Sequence, residues 1–170
     1  MKVAVCGSGT CNDISLLNEI KLIGREIAVK GAVLLTGGCR GYPYAALRGA
    51  LLENGKVVVY SPAKNETEHI EKYNFPIDSG VVYIYTGLGI PERNLELVKN
   101  ADIVVIVDGR IGTLNEFTIA FHLQKRIFVL KKPIGILQLI PKIAELCNKN
   151  NEKKNISYFE NNMKFKLLLN

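Results

Sequence analysis

The stretch Gly109-Arg110-Ile111-Gly112-Thr113-Leu114-Asn115-Glu116 combines residues that can hold a phosphate with one that can move a proton. An apolar run, 103–107, precedes it, and a helical pattern, 117–124, follows. A buried strand that turns through glycines into a helix leaves the first helical N–H groups unpaired. The helix dipole then favours an anion in front of them. Thr113 adds a hydroxyl, and Glu116 adds a carboxylate one helical turn further on. A phosphate cradle with an acid beside it points to chemistry on a nucleotide.

Such a cradle needs a sheet behind it, and the rest of the sequence supplies one. Apolar runs at 2–6, 32–35, 56–60, 81–85, 102–107 and 127–130 read as six strands. Helical patterns lie between them. Asp13 can cap a helix whose apolar face is Ile14, Leu17, Ile20 and Ile27, closed by Gly31. Further helices are expected at 44–53, 91–99, 117–124 and 134–148. Residues 61–78, with Pro62, Pro76 and a charged run, are too irregular for a simple connection and read as a mobile or partly helical loop over the site. Strands alternating with helices define an α/β protein: a single Rossmann-like, doubly wound domain with a mostly parallel sheet of about six strands. The unbroken Val/Ile/Leu character of the strands fits a sheet covered on both faces. The domain is expected to span 1–148, followed by a basic Asn/Lys-rich C-terminal tail at 149–170.

In such a sheet, ligands bind beyond the carboxyl ends of the strands. The first strand is followed by Gly7-Ser8-Gly9-Thr10 and the second by Thr36-Gly37-Gly38-Cys39-Arg40-Gly41. The fourth is followed by Thr86-Gly87-Leu88-Gly89, then Pro91-Glu92-Arg93-Asn94. With the loop at Gly109, four glycine-rich loops share one rim, which fits a nucleotide-sized ligand. Asn12 stands where the dinucleotide fingerprint needs its third glycine, and there is no Walker A sequence. Neither NAD binding of that type nor P-loop ATP hydrolysis is expected. Ser8 lacks a nucleophile elbow, so a serine hydrolase triad is disfavoured. His69 and His122 read as structural.

Bulk properties narrow the class further. The chain has 170 residues, 48% of them hydrophobic and 22% charged, in the range of a globular protein with one core. No leader pattern and no apolar run of membrane-spanning length is present, so a cytoplasmic protein without membrane contact is expected. Cys6, Cys11, Cys39 and Cys147 form no C-x-x-C pair, so no metal site is expected and the thiols should be free. Cys6, Cys11 and Cys39 all fall near ends of the first two strands; a shared crevice there would bring three thiols near the ligand, but core filling is their ordinary role. Net charge is +6. Six lysines against three acids lie in 142–170, which leaves the body nearly balanced. A basic tail can bind nucleic acid, but its ordinary reading is a solvated helix with a frayed end.

Arg93-Asn94, the strand at 101–107 and the sequence Gly109, Gly112, Thr113, Glu116 together resemble the LOG family of the SLOG superfamily. Its members are cytokinin riboside 5′-monophosphate phosphoribohydrolases, often mislabelled lysine decarboxylases. Thr36-Gly37-Gly38 and Arg48-Gly49-Ala50 resemble that family's earlier glycine loop and the helix behind it. The resemblance covers about 2–130. Arg110 replaces the second glycine of the family's G-G-x-G-T motif, and Asn94 replaces a lysine.

The resemblance implies hydrolysis of the N-glycosidic bond of a nucleoside 5′-monophosphate to free base and ribose 5-phosphate, with no cofactor required. It makes Glu116 and Arg93 the catalytic pair. Gly109, Arg110, Gly112 and Thr113, with Gly7, Ser8, Gly9, Gly37, Gly38 and Arg40, become the phosphate- and nucleotide-binding set. The helix N-terminus would favour an ionised Glu116 acting as a base. A second likeness within the superfamily is to the molybdenum cofactor carrier, which holds a phosphorylated pterin without turning it over. A third, more distant one is to DprA-like single-stranded DNA-binding proteins, through Gly38-Cys39-Arg40-Gly41 and Pro91-Glu92-Arg93-Asn94. The expected partners are a small phosphorylated ligand, either a nucleoside monophosphate or a phosphorylated pterin, and further copies of the chain in a homodimer or higher homo-oligomer. Nucleic acid is not an expected partner.

Overall fold

Seven parallel strands form one open sheet in the order β4-β3-β2-β1-β5-β6-β7 in the computed structural model, which describes residues 1–11, 13–147 and 155–170. The elements run β1 (Lys2–Cys6), α1 (Ile14–Val29), β2 (Val33–Thr36), α2 (Gly41–Leu52), β3 (Val57–Ser61), α3 (Glu66–Glu71), β4 (Val81–Tyr85), α4 (Gly89–Lys99), β5 (Ile103–Ile106) and α5 (Ile111–His122). They continue with β6 (Arg126–Leu130), a 3-10 turn (Gly135–Gln138), α6 (Ile140–Leu146), β7 (Ile156–Phe159) and α7 (Asn162–Leu169). Asp13 caps α1 as expected: its Oδ1 accepts the Leu16 N–H at 2.9 Å. Leu16, Ile20, Ile23 and Ile27 then bury one stripe of that helix. The central strands β1 and β5 are the driest, with Val3, Ala4, Val5 and all four β5 residues fully buried. Helix α1 packs on both α2 and α7, and α4 packs on α5. None of the described helices is long and apolar enough to cross a membrane.

The structure departs from the sequence expectations in four places. Helix α2 begins at Gly41 and α5 at Ile111, three and six residues earlier than expected. Neither start carries a side-chain cap, so the usual sequence mark is missing. The expected helix at 134–148 is a 3-10 turn followed by α6, with Pro141 in its first turn. Residue 148 lies outside the described residues.

The segment 61–78 is ordered around a buried histidine. His69 Nδ1 lies 2.7 Å from Ser61 Oγ, its Nε2 lies 3.1 Å from the Pro76 carbonyl, and Phe75, Tyr83 and Tyr85 meet it edge-on. Burial lowers its pKa, so a neutral ring that donates from Nε2 to Pro76 suits these partners.

The largest departure is the tail. Residues 149–154 lie outside the described residues, but β7 pairs in parallel with β6, Ile127 opposite Ile156 and Leu130 opposite Phe159. Helix α7 then folds back on α1. Phe165 is fully buried against Phe128 and Phe159, and Lys166 pairs with Glu26. The end of the chain is a seventh strand and its covering helix, where a frayed end was expected. Asn161 Oδ1 caps α7 by accepting the Lys164 N–H.

Candidate functional site

Strand β1 pairs with β2 on one side and β5 on the other. The chain builds outward from β1 to β4 and then crosses back to β5. The carboxyl ends of β1 and β5 therefore flank the point where winding reverses, the usual place for a crevice. A cleft of about 540 Å³ opens there. The β1 end lines it with Gly7, Ser8, Gly9 and Thr10, and the β2 end with Gly37 and Cys39. Arg110, Ile111, Gly112, Thr113 and Glu116 enter from α5, and Ile90, Arg93 and Asn94 from α4. Pro43 and Phe75 complete an apolar side.

The α5 end is shaped for an anion. The first residues of α5 have no side-chain cap and line the cleft, with the positive end of the helix dipole behind them. Gly109 has φ +149°, and a Cβ there would collide with Thr113 Oγ1. The glycine lets Thr113 fold over the turn. Asp108 holds an unusual φ of +153° for a residue with a side chain, and its Oδ1 accepts the Gly109 N–H at 2.5 Å. Arg110 stands at the N-cap position of α5, at φ −125° and ψ −143°, outside the left-handed region that favours glycine. Its guanidinium reaches Thr10 Oγ1 at 3.1 Å, from the β5 side to the β1 side.

Deeper in the cleft lie Arg93 and Glu116. Arg93 is 4% exposed, and its Nε and Nη1 have no hydrogen-bond partner among the described residues. The guanidinium lies directly over Gly37, where any Cβ would overlap it. Neighbouring Asn94 fixes this end of α4 by donating to Asn115 Oδ1 at 2.9 Å and to the Gly112 carbonyl at 3.4 Å. Glu116 is 8% exposed. Burial pushes its carboxyl up to about 7, against the opposing pull of Arg93 and a hydrogen bond with Cys6. The helix dipole was expected to keep Glu116 ionised; desolvation outweighs it. Burial also raises the Cys6 thiol and lifts Cys39 to about 11, so both stay protonated at neutral pH.

Most of the expected site residues meet in this cleft; Gly38, Gly109 and Arg40 do not line it. Gly38, at φ +78°, packs under Val59 and His69. Gly109 shapes the turn behind the lining residues. Arg40 turns outward, its Nε donating to the Asn74 carbonyl at 3.0 Å. His122 is exposed on the far end of α5. Sequence reasoning missed Val5, Pro43, Phe75, Ile90 and Ile111 as lining residues, and it placed Thr10 and Cys39 in the rim loops without giving them a role. Cys39 carried a signal, because it follows the Gly37-Gly38 pair at a strand end. Phe75 carried none, since 61–78 gives no periodicity. No group of three or more His, Cys, Asp or Glu able to hold a metal ion occurs among the described residues.

Gly37→Val is expected to eject the Arg93 side chain from its seat. A phosphorylated ligand should then bind about 10- to 100-fold more weakly, the value of one or two charge-assisted hydrogen bonds. Titration calorimetry beside a circular dichroism spectrum checks this. Unchanged affinity in a folded variant would show that Arg93 takes no part in binding.

An open parallel sheet with an anion-ready cleft at its winding reversal defines a Rossmann-like binding domain. The chain belongs to the SLOG cluster4 family, whose sequence profile matches residues 1–165. An uncharacterised protein of Archaeoglobus fulgidus is 32% identical over 136 residues, covering 80% of this chain and 83% of that one. The molybdenum cofactor binding protein of the phototrophic bacterium Rippkaea orientalis is similar in structure, with TM-score 0.80 and 26% identity over 99% of this chain and 94% of the other. The molybdenum cofactor carrier protein of Chlamydomonas reinhardtii shares the fold at TM-score 0.77 and 21% identity, over 99% and 94%. DNA processing protein A of Helicobacter pylori shares it at TM-score 0.70 and 22% identity, over 99% and 80%.

Proposed function

We propose that this protein is a cytoplasmic carrier that binds a phosphorylated pterin-type cofactor of the molybdenum-cofactor kind in the cleft between β1 and β5. The observation that carries the reading is the unpartnered, buried Arg93 guanidinium in the same cleft as the uncapped start of α5. Both call for an anionic ligand. The similarity to the R. orientalis cofactor binding protein runs over nearly the whole of both chains and supports the same ligand class. Gly112, Thr113 and Arg110, with Gly7, Ser8 and Gly9, hold the phosphate, and Gly109 shapes the turn behind them. Pro43, Phe75 and Ile90 offer apolar surface to the ring system.

Protein purified without oxygen is expected to retain phosphorylated pterin, seen as a fluorescent oxidation product together with molybdenum in stoichiometric amount. Preparations free of pterin that also fail to take it up would overturn the reading. Val82, Ile84, Leu88, Ile90 and Leu95 expose apolar surface on β4 and around α4, which supports a homo-oligomer; light scattering measures it.

One observation favours a second reading, the phosphoribohydrolase. Glu116 titrates near neutrality beside Arg93, as suits a group exchanging protons with water or a leaving base. Incubation with AMP tests it: adenine release that disappears in Glu116→Gln supports hydrolysis, and no release leaves the carrier. The DNA-binding reading draws nothing from Lys166 of the tail, which pairs with Glu26 of α1.

A further inference from the structure

We propose that His69 is a positioning residue for the cleft: its neutral ring fixes Phe75 in the apolar wall, and the wall slackens when the ring takes up a proton. The inference rests on the cleft being a ligand site, as proposed above, and deepens it by saying what sets its apolar side.

Phe75 lines the cleft from 74–78, which forms neither strand nor helix. His69 of α3 holds it in three ways. The Phe75 N–H donates to the His69 carbonyl at 3.1 Å. The two rings meet edge-on, with centroids 5.4 Å apart. His69 Nε2 lies 3.1 Å from the carbonyl of the next residue, Pro76. The same ring also backs the loop after β2. A Cβ at Gly38 would stand 3.0 Å from His69 Cε1 and 3.7 Å from Phe75 Cδ2, and the flanking Gly37 and Cys39 both line the cleft. His69 is therefore wedged between the two parts of the cleft wall. From outside, Arg40 reaches Asn74 through contacts of 3.0 and 3.3 Å, but these are exposed and water can replace them.

The wedge works only as a neutral ring. The Pro76 carbonyl can only accept, so Nε2 carries the hydrogen and Nδ1 accepts from the Ser61 hydroxyl at 2.7 Å. Ser61 Oγ in turn accepts the Ala63 N–H at 3.1 Å. Both ring nitrogens are thus satisfied at 0% exposure. A proton on Nδ1 would meet the Ser61 hydrogen, which would have to turn away from its acceptor, and would leave a charge out of water. Glu66 of α3 favours that charge and Arg93 of α4 opposes it, while burial keeps Tyr83 and Tyr85 of β4 neutral. Burial outweighs Glu66 and lowers the ring below the ordinary histidine value of 6.5. The hold on Phe75 is therefore complete above that value and is lost as pH falls beneath it.

The phosphate ester of hydroxymethylpterin, which is stable and fluorescent, is the probe. At about pH 8, Phe75→Ala and His69→Leu are each expected to bind it about tenfold more weakly than the wild type. The double variant should bind no more weakly than Phe75→Ala, because His69 acts through Phe75. His69→Gln, whose amide can donate to Pro76 and takes no proton, should recover most of the affinity lost in His69→Leu. At about pH 5 the wild type should lose at least threefold relative to both His69→Gln and Phe75→Ala. Glu116 and the probe's phosphate are common to all these proteins, so the comparison cancels their titration. Circular dichroism establishes folding, and if His69→Leu does not fold, the pH comparison decides. Additive losses in the double variant, or the same pH dependence in wild type and Phe75→Ala, would overturn the positioning role and leave the carrier intact. Wild-type protein that does not bind the phosphorylated pterin would overturn both.

Discussion

Glu116→Gln is expected to raise the unfolding free energy by about 3 kcal/mol at about pH 8 and to change it little at about pH 4.5. The sign follows from where the proton sits. The carboxyl of Glu116 is pushed from 4.5 up to about 7 in the folded protein by burial. Below the ordinary value both states are protonated, and the group costs nothing. As pH rises toward about 7 the unfolded chain ionises first, so stability falls. Above about 7 both states are ionised and the penalty is constant. Glutamine has nearly the same shape and never ionises, so it removes the penalty. Urea unfolding at the two pH values measures the difference. A gain of equal size at both would show that packing, not charge, is responsible. The wild-type protein thus keeps a destabilising group, as binding sites commonly do.

The second large effect lies outside the cleft. Phe165→Ala is expected to cost about 3–5 kcal/mol, the usual range for emptying a buried phenylalanine site. Phe165 is fully buried, with ring centroids 5.3 Å from Phe159 and 6.2 Å from Phe128. It joins α7 to β6 and β7 at once. Met163→Ala, two residues away on the same helix and 74% exposed, should shift stability by less than about 0.5 kcal/mol. Thermal and urea denaturation of the pair provide the test. Equal, small effects would return the C-terminal segment to the status of a loose tail.

The contrast between strands and tail shows what the sequence reveals. Strands β1 and β5 are dry on both faces, so they appear as unbroken apolar runs such as Val-Ala-Val and Ile-Val-Val-Ile. Their ends, marked by Gly7 and Gly109, locate the cleft for the same reason. Strand β7 is an edge strand of four residues, Ile156–Phe159, with Tyr158 exposed and lysines and asparagines before it. Its stability comes from pairing with β6, a contact that local composition does not show. Asn161 as a cap and Phe165 and Leu169 at helical spacing were the available signals for α7. Arg93 and Glu116 were legible through their motif, but their burial was not. Spacing along a helix says which side a carboxylate takes, and only the packed structure says how dry that side is. The bias toward an ionised Glu116 failed on this point.

The two walls of the cleft are borne by β1 and β5, hydrogen-bonded neighbours from Val3–Ile103 to Cys6–Ile106. No hinge separates them. A ligand entering here would meet walls held in place by the pairing of two adjacent strands. The span that must yield is Arg110 reaching to Thr10, a single contact between side chains at the rim. A ligand leaving this cleft would have to displace one long, flexible side chain, with no domain to open.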